Sequence, residues 1–168
     1  MTDILIVVDM QNDFITGPLG TPEARKIVPK VAEYIRNWKG TLMVTQDTHT
    51  KDYLETQEGK KLPVPHCKLN SAGWALAQEV YDAVESKDDV RMITKPTFGY
   101  RYWANMDNTD ITVIGVCTDI CVVSNALILK ALFPEARVRV IADLCAGTTP
   151  EMHREALDVM RSCQVEIE

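Results

Sequence analysis

Residues 111–132, ITVIGVCTDICVVSNALILKAL, constrain the fold of this chain more than any other stretch. Ile111–Val116 is β-branched and apolar without alternation, as in a strand covered on both faces of a parallel sheet. From Cys121 on, the stretch is apolar enough for a core helix of three turns or more. Between them lies only the short turn Cys117-Thr118-Asp119-Ile120. Thr118 is a good N-cap, which puts Cys121 at the third helical position. The first N–H groups of a helix have no internal partner and carry the positive end of its dipole. A thiol there ionises more readily, and the free N–H groups suit an oxyanion developing on an attacked carbonyl. Cys121 is therefore a candidate nucleophile; the alternative is a small core residue, the commoner fate of a free cysteine.

The remaining chain alternates strand and helix. Asp3–Asp9 is a short apolar run ending in a carboxylate, and a Gly/Pro-rich polar loop follows it. Residues 22–38 carry Ile27, Val31, Ile35 and Trp38 at helical spacing, with Pro22 in the first turn and Gly40 as the stop. A second strand spans Gly40–Gln46 and ends at Asp47. From there to Ser71 no period is visible, and an irregular stretch of that length inside a compact domain is more often functional than not. Helix is predicted at 73–86, a strand at Val90–Lys95, a strand at Arg137–Ala142, a short helix at 150–162 and an edge strand at Val165–Glu168. The pattern predicts one domain over residues 1–168, an α/β fold in three α/β/α layers around a mostly parallel, doubly wound sheet of about six strands.

Composition excludes more than it selects. Net charge is −6, so there is no nucleic-acid footprint. No run of about 18 apolar residues suggests a membrane span, and MTDILIVVDMQNDF lacks a basic leader with a cleavage site. The five cysteines are odd in number and scattered, which fits reduced thiols and a cytoplasmic location.

Open α/β sheets bind ligands beyond the carboxyl ends of their strands. Asp9, Asp47 and Lys95 end three successive strands, and Cys121 follows the fourth. A carboxylate, an ammonium and a thiol in one crevice suit acyl transfer: Asp9 moves the proton and Lys95 stabilises the thiolate.

DMQNDF at 9–14, Lys95 in ITKPTFGY and GVCTDICV at 115–122 resemble the isochorismatase-like cysteine hydrolase superfamily, which includes nicotinamidase/pyrazinamidase and N-carbamoylsarcosine amidase. The match extends over nearly the whole chain. The resemblance implies a catalytic triad of Asp9, Lys95 and Cys121, and a cis peptide between Val116 and Cys117. It also implies an oxyanion hole made by the N–H groups of Cys117 and Cys121. Isochorismatases proper lack the nucleophilic cysteine, so Cys121 points to amide hydrolysis.

Asp47 and His49 share a face of an extended segment. By resemblance to nicotinamidases they belong to a metal site with His66 and a further ligand, for which Glu58 fits best and Glu55 is the runner-up. Two histidines with carboxylates suit a divalent ion, zinc first, with iron or manganese as alternatives. Phe14 matches a pocket aromatic of nicotinamidases, and Tyr100, Tyr102 and Trp103 are candidates for a pocket wall or for packing. Leu62-Pro-Val-Pro65 departs from those nicotinamidases that carry a stacking aromatic before the later histidine. Cys67, Cys145, Cys163 and His153 read as structural or surface residues. The expected activity is hydrolysis of a small amide to acid and ammonia through a thioester. The alternatives are a metal-free amidohydrolase acting on a carbamoyl compound and a non-catalytic binding protein that keeps the fold. The resemblance also implies a homo-oligomer.

Overall fold

The computed structural model describes residues 3–168. Its six strands are β1 (Asp3–Val8), β2 (Thr41–Asp47), β3 (Val90–Lys95), β4 (Asp110–Val116), β5 (Arg137–Ala146) and β6 (Glu166–Ile167). All pair in parallel, in the order β3-β2-β1-β4-β5-β6. The helices are α1 (Asn12–Ile15), α2 (Pro22–Asn37), α3 (Gln57–Lys61), α4 (Gln78–Glu85), α5 (Val123–Leu132) and α6 (Pro150–Ser162). The chain winds from β1 to β3 in one direction and from β4 to β6 in the other. Right-handed crossovers then put α2 with α4 on one face and α5 with α6 on the other. Among the described residues no helix is long and apolar enough to cross a membrane.

Double coverage explains the unbroken apolar runs. Leu5 to Val8, Ile111, Val113 and Ile114 are wholly buried although successive side chains point to opposite faces. Helix α2 starts on the Thr21 hydroxyl, which accepts the Ala24 N–H, and has Pro22 where the missing N–H costs nothing. It buries Ile27, Val31 and Ile35, the face expected from the spacing.

Several bounds differ from expectation. The first strand stops at Val8, and Asp47 belongs to the second. Of 73–86 only Gln78–Glu85 is α-helical, because Gln11 and Asn12 side chains take the Trp74 and Ala72 carbonyls. Strand β5 continues four residues past the predicted end, to Ala146, through a register shift opposite Val113 and Gly115; the exposed Asp143 hides this in the sequence. The stretch without a period holds a 3-10 turn at Tyr53–Glu55 and the short α3.

Candidate active site and metal centre

The reversal in strand order opens a crevice between the carboxyl ends of β1 and β4, and the candidate residues converge there. Asp9 follows β1 in the left-handed region, at φ 50°, a conformation in which Asp is enriched among non-glycine residues. Its N–H donates to the Thr45 carbonyl (3.2 Å), and its Oδ1 accepts the Thr45 hydroxyl (2.6 Å). Lys95 is paired across the ladder with Asp47. Its Nζ lies 2.6 Å from Asp9 Oδ2, 3.1 Å from the Thr97 carbonyl and 3.6 Å from Cys121 Sγ. The buried ammonium thus donates to the Thr97 carbonyl and Cys121 and is ion-paired with Asp9. Burial alone disfavours this cation, but the charges of Asp9, Cys121 and Asp47 outweigh it and raise its pKa.

The turn bearing Cys121 differs from the predicted cap. Residues Thr118–Val122 form a π-turn capped by Cys117, whose side chain makes no capping bond. The Thr118 hydroxyl pairs instead with His153 Nδ1 (2.7 Å), so His153 supports this turn. Cys121 is the fourth residue of the turn. The Val116–Cys117 peptide is cis, as the resemblance implies. Burial and the Asp9 charge push the Cys121 thiol well above its ordinary pKa, despite Lys95. The expectation of an easily ionised thiol therefore fails, because burial outweighs the helix start. Burial likewise raises the Asp9 carboxyl above its ordinary value, which makes it a better proton acceptor.

A second cluster lies beside the first. One oxygen or nitrogen from each of Asp47, His49, Glu58 and His66 comes within 4.8 Å of all the others. Gln11 fixes Asp47 by bonding both its N–H (2.7 Å) and its carbonyl (2.8 Å). Helix α3 delivers Glu58, capped by the Thr56 hydroxyl on Gly59 N–H. Gly59 is needed there, since a Cβ would meet the Tyr53 carbonyl oxygen at 2.0 Å. Glu55 is outside the group.

The donor set fits a divalent cation. His66 Nδ1 faces the Val64 carbonyl at 2.8 Å, an acceptor only, so Nδ1 holds a proton. Burial lowers the pKa of the ring, but the bonds to Asp47 and Val64 outweigh it, and only when the ring is neutral does its Nε2 turn a lone pair to the carboxylates. His66 Nε2 is 3.4 Å from Asp47 Oδ2 and 3.7 Å from Glu58 Oε1. Asp47 Oδ1 and Glu58 Oε1 are buried without a hydrogen-bond donor. Lone pairs facing carboxylate oxygens repel unless a cation or proton lies between them.

Both clusters open on one cavity of about 320 Å³. Asp47, Glu58 and His66 line one part and Cys117 and Cys121 another, with Phe14, Leu19, Leu62, Phe98 and Ile120 as apolar walls. Phe14 thus stands where expected. Tyr100 does not line the cavity: Asn125 Oδ1 accepts its N–H (2.8 Å) and its ring packs on Trp103. Phe98 takes the expected place. The sequence-based candidates are Tyr100, Tyr102 and Trp103; Phe98, which stands two residues before Tyr100, is missed there.

The fold and the site match known proteins. The isochorismatase domain model matches residues 3–168. A nicotinamidase of Schizosaccharomyces pombe is 25% identical over 205 residues, covering 97% of this chain and 91% of its own. A nicotinamidase of Saccharomyces cerevisiae is 26% identical over 173 residues, covering 73% and 79%. The crystal structure of Pyrococcus horikoshii pyrazinamidase in complex with zinc superposes with a TM-score of 0.80 at 28% identity, covering 100% of this chain and 99% of that one. The chain belongs to the isochorismatase family. Within it, the chain is an amide-hydrolysing enzyme.

Proposed function

We propose that the protein hydrolyses nicotinamide, or a closely similar neutral heteroaryl carboxamide, to the acid and ammonia. The carrying observation is the cavity, with the thiol and a metal-competent cluster on its wall and no Lys or Arg in its lining. A carbamoyl substrate bearing a carboxylate would meet Asp47 and Glu58 there, with Lys95 already paired with Asp9. The solved zinc complex of a pyrazinamidase and the nicotinamidase relatives support the same substrate class. A buried ion pair locked onto a thiol is costly to desolvate and weak as a source of stability, which weighs against a merely binding protein.

In this reading Asp9 accepts the Cys121 proton as sulfur bonds to the carbonyl carbon. The carbonyl electron pair moves to oxygen, and the oxyanion is held by the N–H groups of Cys117 and Cys121. Asp9 returns the proton to nitrogen, the C–N bond breaks, and ammonia leaves a thioester on Cys121. Water attacks the thioester carbon while Asp9 takes its proton; the C–S bond breaks, the acid departs and the thiolate recovers the proton. Lys95 compensates the negative charge that passes between Asp9 and Cys121. Phe14 and Phe98 wall the ring. Asp47, His49, Glu58 and His66 would hold a divalent ion, zinc in this reading, which would supply Lewis acidity for the ring nitrogen.

The test is ammonia release from nicotinamide by the purified protein and by Cys121→Ala. Release by the parent, with a loss on the order of 10⁴-fold in a folded variant, supports the assignment. An equally active variant sinks the nucleophile, and an inactive parent sinks the substrate.

A further inference from the structure

Thr45 is a buried hydroxyl in the middle of a strand, and neither the core nor the ladder requires it. It sits on β2 beside Val8, one residue from where Asp9 leaves the sheet. Its Oγ1 lies 2.6 Å from Asp9 Oδ1 and 3.3 Å from Asp9 N. The Asp9 N–H is a donor only, so the hydroxyl accepts from it and directs its own hydrogen to the carboxylate. A β-branched side chain in a strand has few χ1 options, so this aim is built in.

The consequence is a division of labour within one carboxylate. Oδ1 is occupied by the hydroxyl, whereas Oδ2 lies 2.6 Å from Lys95 Nζ, the ammonium that also contacts Cys121 Sγ. We propose that Thr45 is a positioning residue that holds Asp9 by Oδ1, stabilises its charged form and leaves Oδ2 to exchange the proton with Cys121. This rests on Asp9 being the proton carrier of the proposed reaction.

The groups that act on Asp9 come from every neighbouring element. Lys95 ends β3, Asp47 ends β2, Cys117 and Cys121 follow β4, and Cys67 lies in the loop before α4. Asp47, Cys67 and the two cysteines after β4 disfavour the Asp9 charge or lose by it; Lys95 and the Thr45 hydroxyl favour it. Replacing the hydroxyl by a methyl removes one of the two supports and leaves the shape. A hydrogen bond to a charged group is strong enough to move a carboxyl by about one pH unit. The titration so moved belongs to the Asp9–Cys121 pair.

The experiment compares the parent, Thr45→Val and Thr45→Ser across pH, by kcat/KM for ammonia release from nicotinamide. In parallel, the rate of Cys121 alkylation by iodoacetamide is followed by peptide mass mapping. The expected result is an acid limb about one pH unit higher in Thr45→Val, by both readouts, and a limb returned to the parent position in Thr45→Ser. If Thr45→Val does not fold, Thr45→Ala is measured in its place, and Thr45→Ser still decides, because a hydroxyl that only fills space gives no reason for Thr45→Ser to keep the parent limb while Thr45→Ala raises it. Coincident limbs in the parent and the hydroxyl-free variants overturn the proposal. A parent inactive on nicotinamide defeats the substrate assignment alone, since the alkylation profile still reports on Thr45.

Discussion

At the scale of single residues, the site is a chain of buried charges in which each member depends on the next. Lys95 is the hub, with no exposure and acceptors on Asp9, Thr97 and Cys121. Removing one partner of such a pair leaves an uncompensated buried charge, which costs about 3–5 kcal/mol. Lys95→Met should therefore lose about that much stability near neutral pH. The loss should shrink in acid, and the sign follows from Asp9. Its folded pKa is already raised, by burial first, and rises further without the ammonium. A carboxyl with a raised folded pKa destabilises the fold increasingly as pH climbs from the unfolded value through the folded one. Urea unfolding of the parent and Lys95→Met near pH 5 and pH 7.5 checks this, and an equal deficit at both would contradict it. The charged residues of the hub were legible in the sequence because each stands at the carboxyl end of a predicted strand. Their polar supports were not. Thr45 and Gln11 read as ordinary strand and loop residues, since their partners Asp9 and Asp47 lie 36 positions away.

At the scale of elements, the site depends on how closely β4 lies against β1. Gly115 allows that contact: its φ is 119°, and a Cβ would meet the Val8 carbonyl oxygen at 2.2 Å. The register shift to β5 occurs at the same place, between Val113 and Gly115. Gly115→Ala combines a forbidden backbone conformation with a backbone clash beside Asp9 and the cis peptide at Val116–Cys117. A loss of about 3 kcal/mol or more is expected, together with loss of ammonia release, because the walls of the crevice part. Denaturant unfolding beside an activity assay measures both, and a stable, active variant would contradict the tight approach. The strand, turn and helix here were readable from apolar runs. Neither the bulge nor the π-turn was, since both arise from neighbours in space. Asn125 shows the same limit: inside an apolar helix it fastens the Phe98–Tyr100 loop by bonds to Phe98, Tyr100 and the Cys121 carbonyl.

For the whole molecule, the weak part is the stretch between β2 and α4, which has only one 3-10 turn and the five-residue α3 of its own. Apart from Leu76 and Ala77 at its end, its buried groups are those around the candidate metal ligands. Tyr53 packs against the rings of His49 and His66, at 4.6 and 5.0 Å, and its hydroxyl donates to the Leu62 carbonyl. Burial, followed by the charges of Glu58 and Asp47, pushes the Tyr53 phenol up to about 12. A cation here would neutralise the two carboxylates and tie the end of β2 to α3 and to the segment bearing His66. Binding to the folded state alone at a hundredfold excess over Kd adds about 2.7 kcal/mol. For a chain of this size that corresponds to a rise of about 5–10 °C in Tm. Zinc should produce that rise in metal-stripped parent protein. His49→Ala, which keeps the carboxylates and loses one imidazole, should show little of it and carry well under one metal per chain in elemental analysis. Calorimetry with and without zinc separates two ideas of this loop: a packed lid whose histidines only hydrogen-bond, or a segment stapled to the sheet by an ion. If His49→Ala retains full metal and the parent's shift, the four-ligand centre fails, and the unpartnered carboxylate oxygens of Asp47 and Glu58 need another explanation.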